Sequence, residues 1–505
     1  MSRGGNAFPR VAGSLFLIWM LLAGMPVTGD GLPVEKRGEG SPEPLAAWSL
    51  LQGAKLAAQG QCVEALLAGN AAYGQSRSST IKRRALALRV QLLATCMDAP
   101  EAAKERHAQL KALLPDGDPD LEPPAPLPAL KIPLSAPSTV RVLLTDWYRS
   151  MRIEGLGLRA DQGGQSVWSG RRVILASRGD RLRMSGGGSG QWSGRLILRA
   201  EEPMRVILGR SRPMRLRGVL YITAHQGRLR VINHLSAEAY LRGVVGAQSA
   251  PGWPLESLKA QAVASRSYLY HQLRHRQPHD YDLNAADPSQ HYFGINRESR
   301  PSDRAVKETN GQVLVTDKGK GDGVRPILAL YAVNSGGHTA EAEALLGVEK
   351  SYLKAQPDSP SKSGRRARWS RTVSRRLLER VLASAGVADM AVGSMEPDRL
   401  GPSGRILSVK IRHAGGVLPV TLRPLLVKGL KLPDAPLSIK SYGGGFLLEG
   451  GGLGLGLGLM QEGAARMGRD GRSYRDILGF YYPGAPLVHL FKGSVADAVQ
   501  AHPSL

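Results

Sequence analysis

The segment AEAYLRGVVGAQSAPGWPLESLKAQAVASRSYLY, residues 237–270, decides how this chain folds. A proline at position 254 lies where a helix tolerates it, in the first turn, and apolar side chains then recur at helical spacing. The residues that share this apolar face are Leu255, Leu258, Ala262, Leu269 and Leu273. The pattern predicts a long helix that begins near Pro254 and follows a loop of small and polar residues.

The chain on either side of this helix alternates in short apolar and polar segments separated by Gly, Ser and Asp, which is typical of strands and hairpins. The strands predicted in this way are 140–144, 166–177, 192–200, 204–209, 219–235, 313–316, 327–334 and 408–413. A basic segment near 370–386 is predicted to be helical. The fold class that follows is α+β, with a β-rich body over residues 139–492.

The N-terminal part has a different character. Residues 44–114 are rich in Ala, Leu and Gln at helical spacing, and the stretch AAQGQCVEALLAG resembles the small-residue packing of tetratricopeptide helix pairs. Residues 115–138 concentrate proline, which removes backbone donors and restricts φ. We therefore expect a small helical accessory domain, a stiff linker and then the β-rich body.

The first residues indicate export. Arg3 and Arg10 precede an apolar run at 11–27, as in a signal peptide, and residues 1–29 fit either a cleaved signal or an N-terminal anchor. The expected location is the periplasm or cell envelope. In such an oxidising compartment Cys62 and Cys96 could form a disulfide, or they could pack as two small buried side chains without bonding.

Composition limits the class of protein and of partner. With 505 residues, 42% hydrophobic and 22% charged, the chain is neither a disulfide miniprotein nor wholly disordered. The formal net charge of +25 favours an anionic partner, and nucleic acid, anionic lipid and acidic wall polymers all qualify. Export makes nucleic acid a poor candidate.

Four segments, in order, resemble the SpoIID/LytB family of bacterial cell-wall proteins. They are the opening segment at 237–270, DLNAADPSQHYFGINRE at 282–298, LYAVNSGGHTAEAEALLG at 330–347 and GLGLGLGLMQEGAARMGRDGRSYRDILGFYYPG at 452–484. The resemblance covers about residues 140–490. It implies a peptidoglycan site, because catalytic members of the family are lytic transglycosylases that use one glutamate in the loop before the long helix.

The chemistry explains why such enzymes need that acid. A carboxylic acid protonates the leaving oxygen of the glycosidic bond, and the resulting carboxylate accepts the proton of the attacking hydroxyl. In this chain Gln248 occupies the position of the glutamate, Ser249 that of the usual methionine, and Leu455 that of a family histidine. An amide cannot transfer a proton in this way, so the resemblance predicts a site that is degenerate as an enzyme.

The resemblance also indicates which residues form the glycan site around Gln248. They are Ser249, Asp282, Asp287, Gln290, Tyr292, Ser335, Gly336, Gly337, Gly454, Gly456, Gly458 and Gln461. Asp287, Glu238 and Glu256 are the acids that could replace the missing one, but a charge near a helix N-terminus, as at Glu256, has a structural explanation. We expect no metal and no cofactor.

Two functions remain open from the sequence alone. The first is a non-catalytic protein that binds peptidoglycan glycan strands in the cell envelope and assists a wall amidase or other hydrolase, in contact with an anionic wall or lipid surface. The alternative is an active lytic transglycosylase that cleaves glycan strands. The replacement by Gln248 favours the first.

Overall fold

The computed structural model describes residues 42–59, 61–97, 99–112, 139–185, 189–274, 280–287, 290–316, 325–387 and 390–490. The predicted signal or anchor at 1–29 and the proline-rich linker at 115–138 lie outside these residues. Within the described ranges, no helix is long and apolar enough to cross a membrane.

Four helices form the N-terminal part: α1 (Glu43–Ala58), α2 (Cys62–Gln75), α3 (Ser79–Thr95) and α4 (Pro100–Ala112). Small residues allow close packing here, since a Cβ at Gly53 of α1 would lie 2.8 Å from Leu88 of α3. A disulfide joins Cys62, at the start of α2, to Cys96, directly after α3, with their Cα atoms 6.0 Å apart. Of the two alternatives for Cys62 and Cys96, the disulfide is therefore the one that the structure contains.

The body is built on an eleven-stranded, mainly antiparallel sheet. Its strands are β1 (Thr139–Thr145), β2 (Ser150–Gln162), β3 (Gln165–Arg178), β4 (Arg181–Ser185), β5 (Gly190–Ser193), β6 (Leu196–Arg199), β7 (Met204–Leu208), β8 (Met214–Leu216), β9 (Val219–His225), β10 (Arg228–Ser236) and β11 (Leu283–Asn284). Their order is β11-β1-β10-β9-β6-β2-β3-β4-β5, with β7 pairing with β2 and β8.

Helices and small sheets complete the body. They are α5 (Ala237–Gln248), α6 (Leu255–Arg274), α7 (Arg300–Glu308), β12 (Gln312–Leu314), β13 (Tyr331–Ala332), α8 (Ala342–Leu346), β14 (Trp369–Ser374), α9 (Arg375–Ala383), β15 (Val392–Leu400), β16 (Ile406–His413), β17 (Gly416–Thr421), α10 (Val427–Gly429), β18 (Ser438–Tyr442), β19 (Gly445–Gly450), β20 (Leu459–Met460), α11 (Gln461–Arg469), α12 (Tyr474–Tyr481) and β21 (Leu487–His489). The α+β prediction is confirmed, and the long helix α6 begins one residue after Pro254.

One large hydrophobic cluster joins the N-terminal helices to the sheet and to α6. Most side chains of α6 are buried. Polar contacts strengthen this junction. Asn70 Nδ2 donates to the carbonyl of Leu346 at 3.0 Å, and Lys350 Nζ donates to the carbonyl of Met97 at 2.6 Å. A second apolar cluster lies among β14–β19, and Leu45 of α1 packs into it. The helical segment thus packs against both parts of the body.

Four predicted elements differ from the structure. The predicted strands 192–200 and 219–235 are each divided in two, the first between β5 and β6 and the second between β9 and β10. Only Tyr331 and Ala332 of the predicted strand 327–334 pair in a sheet, because the apolar run before them is buried without regular pairing. The predicted helix 370–386 begins as strand β14, and the helix starts only after Ser374, whose hydroxyl accepts from the backbone N–H of Leu377.

Candidate functional site

Gln248 is the last residue of α5, and glycines in that helix determine how deeply it lies. A Cβ at Gly243 would be 2.6 Å from the carbonyl oxygen of Gly294, and one at Gly246 would be 2.2 Å from that of Arg297. The helix therefore packs closely on the 3-10 turn at 294–297. This packing fixes the C-terminal end of α5 and the loop that leads to α6.

Two neighbouring side chains at this end have unsatisfied polar atoms. The Nε2 atom of Gln248 and the Oγ atom of Ser249 are buried and have no hydrogen-bond partner among the described residues. Both residues are otherwise half-buried. Because buried polar atoms are nearly always hydrogen-bonded in native structures, such a pair marks a place where a polar ligand could bind. The amide of Gln248 can donate and accept hydrogen bonds there, but it cannot act as a general acid.

Two of the acids considered as replacements, Glu256 and Glu238, have structural partners. Glu256, in the first turn of α6, accepts from Lys259 Nζ at 2.8 Å and from the backbone N–H of Tyr474 at 2.8 Å. Glu238, at the other end of α5, forms a bidentate ion pair with Arg266, a fully buried side chain. These contacts join α6 to α12 and to α5, so each carboxylate has a role in packing.

The second segment supplies internal supports. The Asp282 carboxylate is fully buried and accepts from Arg141 Nη2 at 2.7 Å, which holds β11 against β1. Gln290 accepts from the Tyr240 hydroxyl at 2.9 Å and donates to the carbonyl of Ser265 at 3.1 Å. The hydrogen bonds of Gln290 connect the second segment to both α5 and α6.

Tyr292 and Asp287, two more residues of the second segment, are also buried. Tyr292 donates to Asn233 Oδ1 at 3.1 Å and packs on Tyr240 with ring centroids 5.1 Å apart. Asp287 is buried and lies 3.4 Å from the Tyr268 hydroxyl, measured from its Oδ2 atom. The structure therefore brings Asp287, Gln290 and Tyr292 against α5 and α6, below the surface.

The third and fourth segments interlock through their glycines. Gly454, Gly456 and Gly458 all have positive φ, and a Cβ at Gly458 would lie 1.9 Å from the carbonyl oxygen of Leu330. A Cβ at Gly336 would lie 2.5 Å from the backbone of Gly451, and one at Gly337 would lie 2.8 Å from the side chain of Lys362. The alternating glycines thus allow close backbone packing, which is the structural explanation of that string.

The polar residues of these two segments are also bound internally. Ser335 Oγ donates to Asp358 Oδ2 at 2.6 Å, and the carbonyl of Ser335 accepts from Arg405 at 2.7 Å. Gln461 Nε2 donates to Gln261 Oε1 at 3.3 Å and so ties α11 to α6. Gln461 therefore supports α6, and Ser335 is held by Asp358 and Arg405.

A cavity of about 370 Å³ opens where α2 meets the body. Leu455, which the sequence resemblance aligned with a family histidine, lines it together with Gly454, Tyr268 and Tyr331. The opposite wall is formed by Glu64 and Leu67 of α2 and by the segment 423–432. Gln248 and Ser249 are not among the residues that line this cavity.

Glu64 is the residue that sequence reasoning missed. It is the only charged side chain in α2, and burial, followed by the nearby charge of Asp287, raises its pKa to about 7. Arg423 and Lys428 oppose this shift. A single carboxylate in an otherwise uncharged helix is the signal that could have drawn attention to it, but the sequence does not show what it faces.

Comparisons with known proteins agree with this architecture. The family model for Stage II sporulation protein, SpoIID, matches residues 225–315, which contain α5, α6 and the second segment. An uncharacterised protein of Brachyspira hyodysenteriae is 31% identical over 275 residues, covering 54% of this chain and 72% of the relative. The chain belongs to the SpoIID family.

Two relatives from Bacillus subtilis have informative names. The Stage II sporulation protein D is 23% identical over 283 residues, covering 53% of this chain and 78% of that protein. The Amidase enhancer is 24% identical over 297 residues, covering 49% of this chain and 40% of that protein. The chain therefore matches less than half of the length of the Amidase enhancer.

Proposed function

We propose that this chain is a cell-envelope protein that binds peptidoglycan glycan strands without cleaving them and that assists a wall amidase or another hydrolase. The observation that carries the proposal is the side chain of Gln248. It ends α5 where catalytic relatives are expected to have their acid, and its buried Nε2 atom has no partner within the described structure.

The chemistry of this position favours binding over cleavage. General acid–base catalysis typically contributes about 10²–10⁴ in rate, and an amide cannot supply it. An amide and a neighbouring hydroxyl can, however, bond to sugar hydroxyls and acetamido groups without proton transfer. Gln248 and Ser249 both have a free buried polar atom for such bonds among the described residues.

The contacts of the acids on α5 and α6 also favour binding over cleavage. Glu238 and Glu256, the acids on α5 and α6, are held by Arg266, Lys259 and the backbone of Tyr474. These contacts join α5, α6 and α12, so both carboxylates have a structural role in packing. The scaffold of the family is retained, whereas the acid at its expected position is not.

The proposed partners follow from charge and from the relatives. The net charge of +25 suits an anionic wall or lipid surface and would speed the encounter of the protein with it. The name of the Amidase enhancer from Bacillus subtilis supports the choice of an amidase as the assisted enzyme. The apolar run at 11–27 supports export to the periplasm or cell envelope.

Co-sedimentation with purified peptidoglycan sacculi tests the binding part of the proposal. The wild-type protein is expected to pellet with sacculi, and Gln248→Ala to pellet less. Gln191→Ala, at an exposed position on strand β5, is the matched control and is expected to behave as wild type. Equal pelleting of all three proteins would show that Gln248 takes no part in binding.

A coupled assay tests the second part. A purified wall amidase is incubated with sacculi, with and without the protein, and release of stem peptides is followed. We expect faster release in the presence of the wild-type protein, and a smaller effect with Gln248→Ala. Release that does not change when the protein is added would contradict assistance to that amidase while leaving the binding result intact.

A further inference from the structure

The cavity beside α2 has a composition that the proposed glycan site does not explain. Most of its wall is apolar, with Leu67, Leu330, Leu455 and Leu457 among the lining residues. Its volume of about 370 Å³ lies within the range of small-ligand sites, roughly 300–1,000 Å³. It is therefore large enough for a small molecule or the end of a peptide.

Two charged side chains of its wall each have an unsatisfied polar atom. Glu64 Oε2 and Arg423 Nε are buried, and neither has a hydrogen-bond partner in the part of the chain that the structure describes. Arg423 is held in place by its Nη2 atom, which donates to Asp434 and, at 3.0 Å, to the carbonyl of Gly454. The acceptor on α2 and the donor on the body thus line one cavity without bonding to each other.

Positive charge collects at one side of this cavity. Lys428 and Lys431 are exposed lining residues. Arg423 is the third cation of the wall and is ion-paired with Asp434, whereas Glu64 is the acid among the lining residues. An anionic group would therefore find the two lysines and the unsatisfied Nε atom of Arg423, and an apolar group would find the leucines.

We propose that this cavity binds the terminal carboxylate of a short peptide with small apolar side chains, in the manner of a D-alanyl-D-alanine end. The carboxylate lies towards Arg423, Lys428 and Lys431, and the methyl groups pack on Leu67 and Leu455. The inference rests on the proposed function for the polymer that would carry such a peptide, since stem peptides of peptidoglycan have ends of this chemistry.

The other charged and titratable groups around Glu64 set how binding depends on pH. Asp287 lies behind it from the second segment, Tyr268 and Tyr331 line the cavity from α6 and β13, and the three cations face it from 423–431. A protonated Glu64 can donate a hydrogen bond to the ligand, whereas the ionised form repels the ligand's carboxylate. Binding should therefore weaken as Glu64 ionises.

The size of this effect follows from the pKa of about 7. At pH 6 about 90% of the free protein has Glu64 protonated, and at pH 8 only about 10%, so the apparent Kd should rise about tenfold between them. The terminal carboxylate of the ligand, with a pKa of about 3.5, stays ionised throughout. The titration therefore reports on the protein rather than on the ligand.

The test is a ligand-observed NMR titration of the whole protein with N-acetyl-D-alanyl-D-alanine, with the C-terminal amide of the same peptide as control. For about 14 non-hydrogen atoms we expect a Kd of about 0.1–1 mM at pH 6. The amide, which lacks the charge, should bind at least about tenfold more weakly. Equal binding of acid and amide, or no binding of either, would overturn the proposal without relying on any variant.

Variants then assign the site. Lys428→Ala combined with Lys431→Ala should weaken binding about tenfold or more, while Lys55→Ala combined with Lys307→Ala, at exposed positions on α1 and α7, should have no effect. Glu64→Gln should bind the peptide with the same Kd at pH 6 and pH 8. A pH dependence that persists in Glu64→Gln would show that Glu64 is not the titrating group.

The outcomes separate this inference from the proposed function. If sacculi pellet the protein but the peptide acid does not bind, the cavity proposal is wrong and glycan binding stands. If the peptide acid binds in the expected way but sacculi do not pellet the protein, the cavity is a site for peptide carboxylates and the proposed function is wrong.

Discussion

Arg266 and Glu238 form the ion pair that fixes α5 to α6, with Nε and Nη2 of the arginine donating to the two carboxylate oxygens at 2.7 and 2.8 Å. Arg266 is fully buried, and its guanidinium also donates to the carbonyl oxygens of Val306 and Gln312. The pair therefore fixes the start of α5, the helix that ends at Gln248, against α6.

Replacement of this arginine should destabilise the protein. Arg266→Met leaves Glu238 and two buried carbonyl groups without their donor, and we expect a loss of about 3–5 kcal/mol in the free energy of unfolding. Arg304→Met, which removes an exposed pair with Glu308, should cost less than about 1 kcal/mol. Urea unfolding followed by circular dichroism compares the two, and equal losses would contradict the structural role of the buried pair.

The glycine string offers a second test. Gly458 has φ of +69°, and a Cβ there would lie 1.9 Å from the carbonyl oxygen of Leu330, so Gly458→Ala should cost about 2–4 kcal/mol. Gly479, in α12, has no atom within 4 Å of the corresponding position. Gly479→Ala should therefore be stabilising by about 0.5–1 kcal/mol, as for a helical glycine.

Thermal unfolding of both variants checks this pair. The melting temperature should fall for Gly458→Ala and rise slightly for Gly479→Ala. A Gly458→Ala protein as stable as wild type would mean that the third and fourth segments can separate freely, which would contradict the close packing described for them.

The disulfide should make a measurable contribution to stability. Closing a loop with a sequence separation of 34 residues stabilises by about 3–4 kcal/mol in the chain-entropy model. We expect Cys62→Ser combined with Cys96→Ser to unfold at lower urea concentration than the oxidised wild type. Addition of a reductant should lower the midpoint of the wild type but not that of the double variant, and an equal shift in both would point to another cause.

Much of the fold could be predicted because its signals are local. Pro254 and the apolar spacing after it identify α6, and the alternating segments identify β1, β3 and β16. The strand predicted at 327–334 failed because Ile327, Leu328 and Ala329 are apolar through burial on all sides, not through pairing in a sheet. An apolar run alone does not distinguish these two situations.

The cavity could not be predicted, because its walls are far apart in sequence. Glu64 lies in the N-terminal helices and Arg423 more than 350 positions later, and only the tertiary packing of α2 on the body brings them to one space. The motif strings identified Gln248 and Leu455 as departures from the family pattern. They could not show that Leu455 lines the cavity and Gln248 does not.

Restoring an acid at position 248 should restore some cleavage. Gln248→Glu places a carboxyl group at the end of α5 with the same length of side chain, and general acid–base catalysis could then contribute part of its usual 10²–10⁴, with at least a roughly tenfold gain over wild type. Gln191→Glu, on strand β5, is the control and should gain nothing. If Gln248→Glu binds sacculi but releases no more product than wild type, the surroundings no longer support catalysis there.

The measurement that tests the central claim most directly is mass-spectrometric quantification of soluble 1,6-anhydro muropeptides after incubation of the wild-type protein with purified sacculi. We expect the protein to pellet with the sacculi and the supernatant to contain no more anhydro products than a protein-free control. Release of these products by the wild type, at a rate that Gln248→Ala does not change, would show that the protein is an active transglycosylase that uses another acid, and would contradict binding without cleavage.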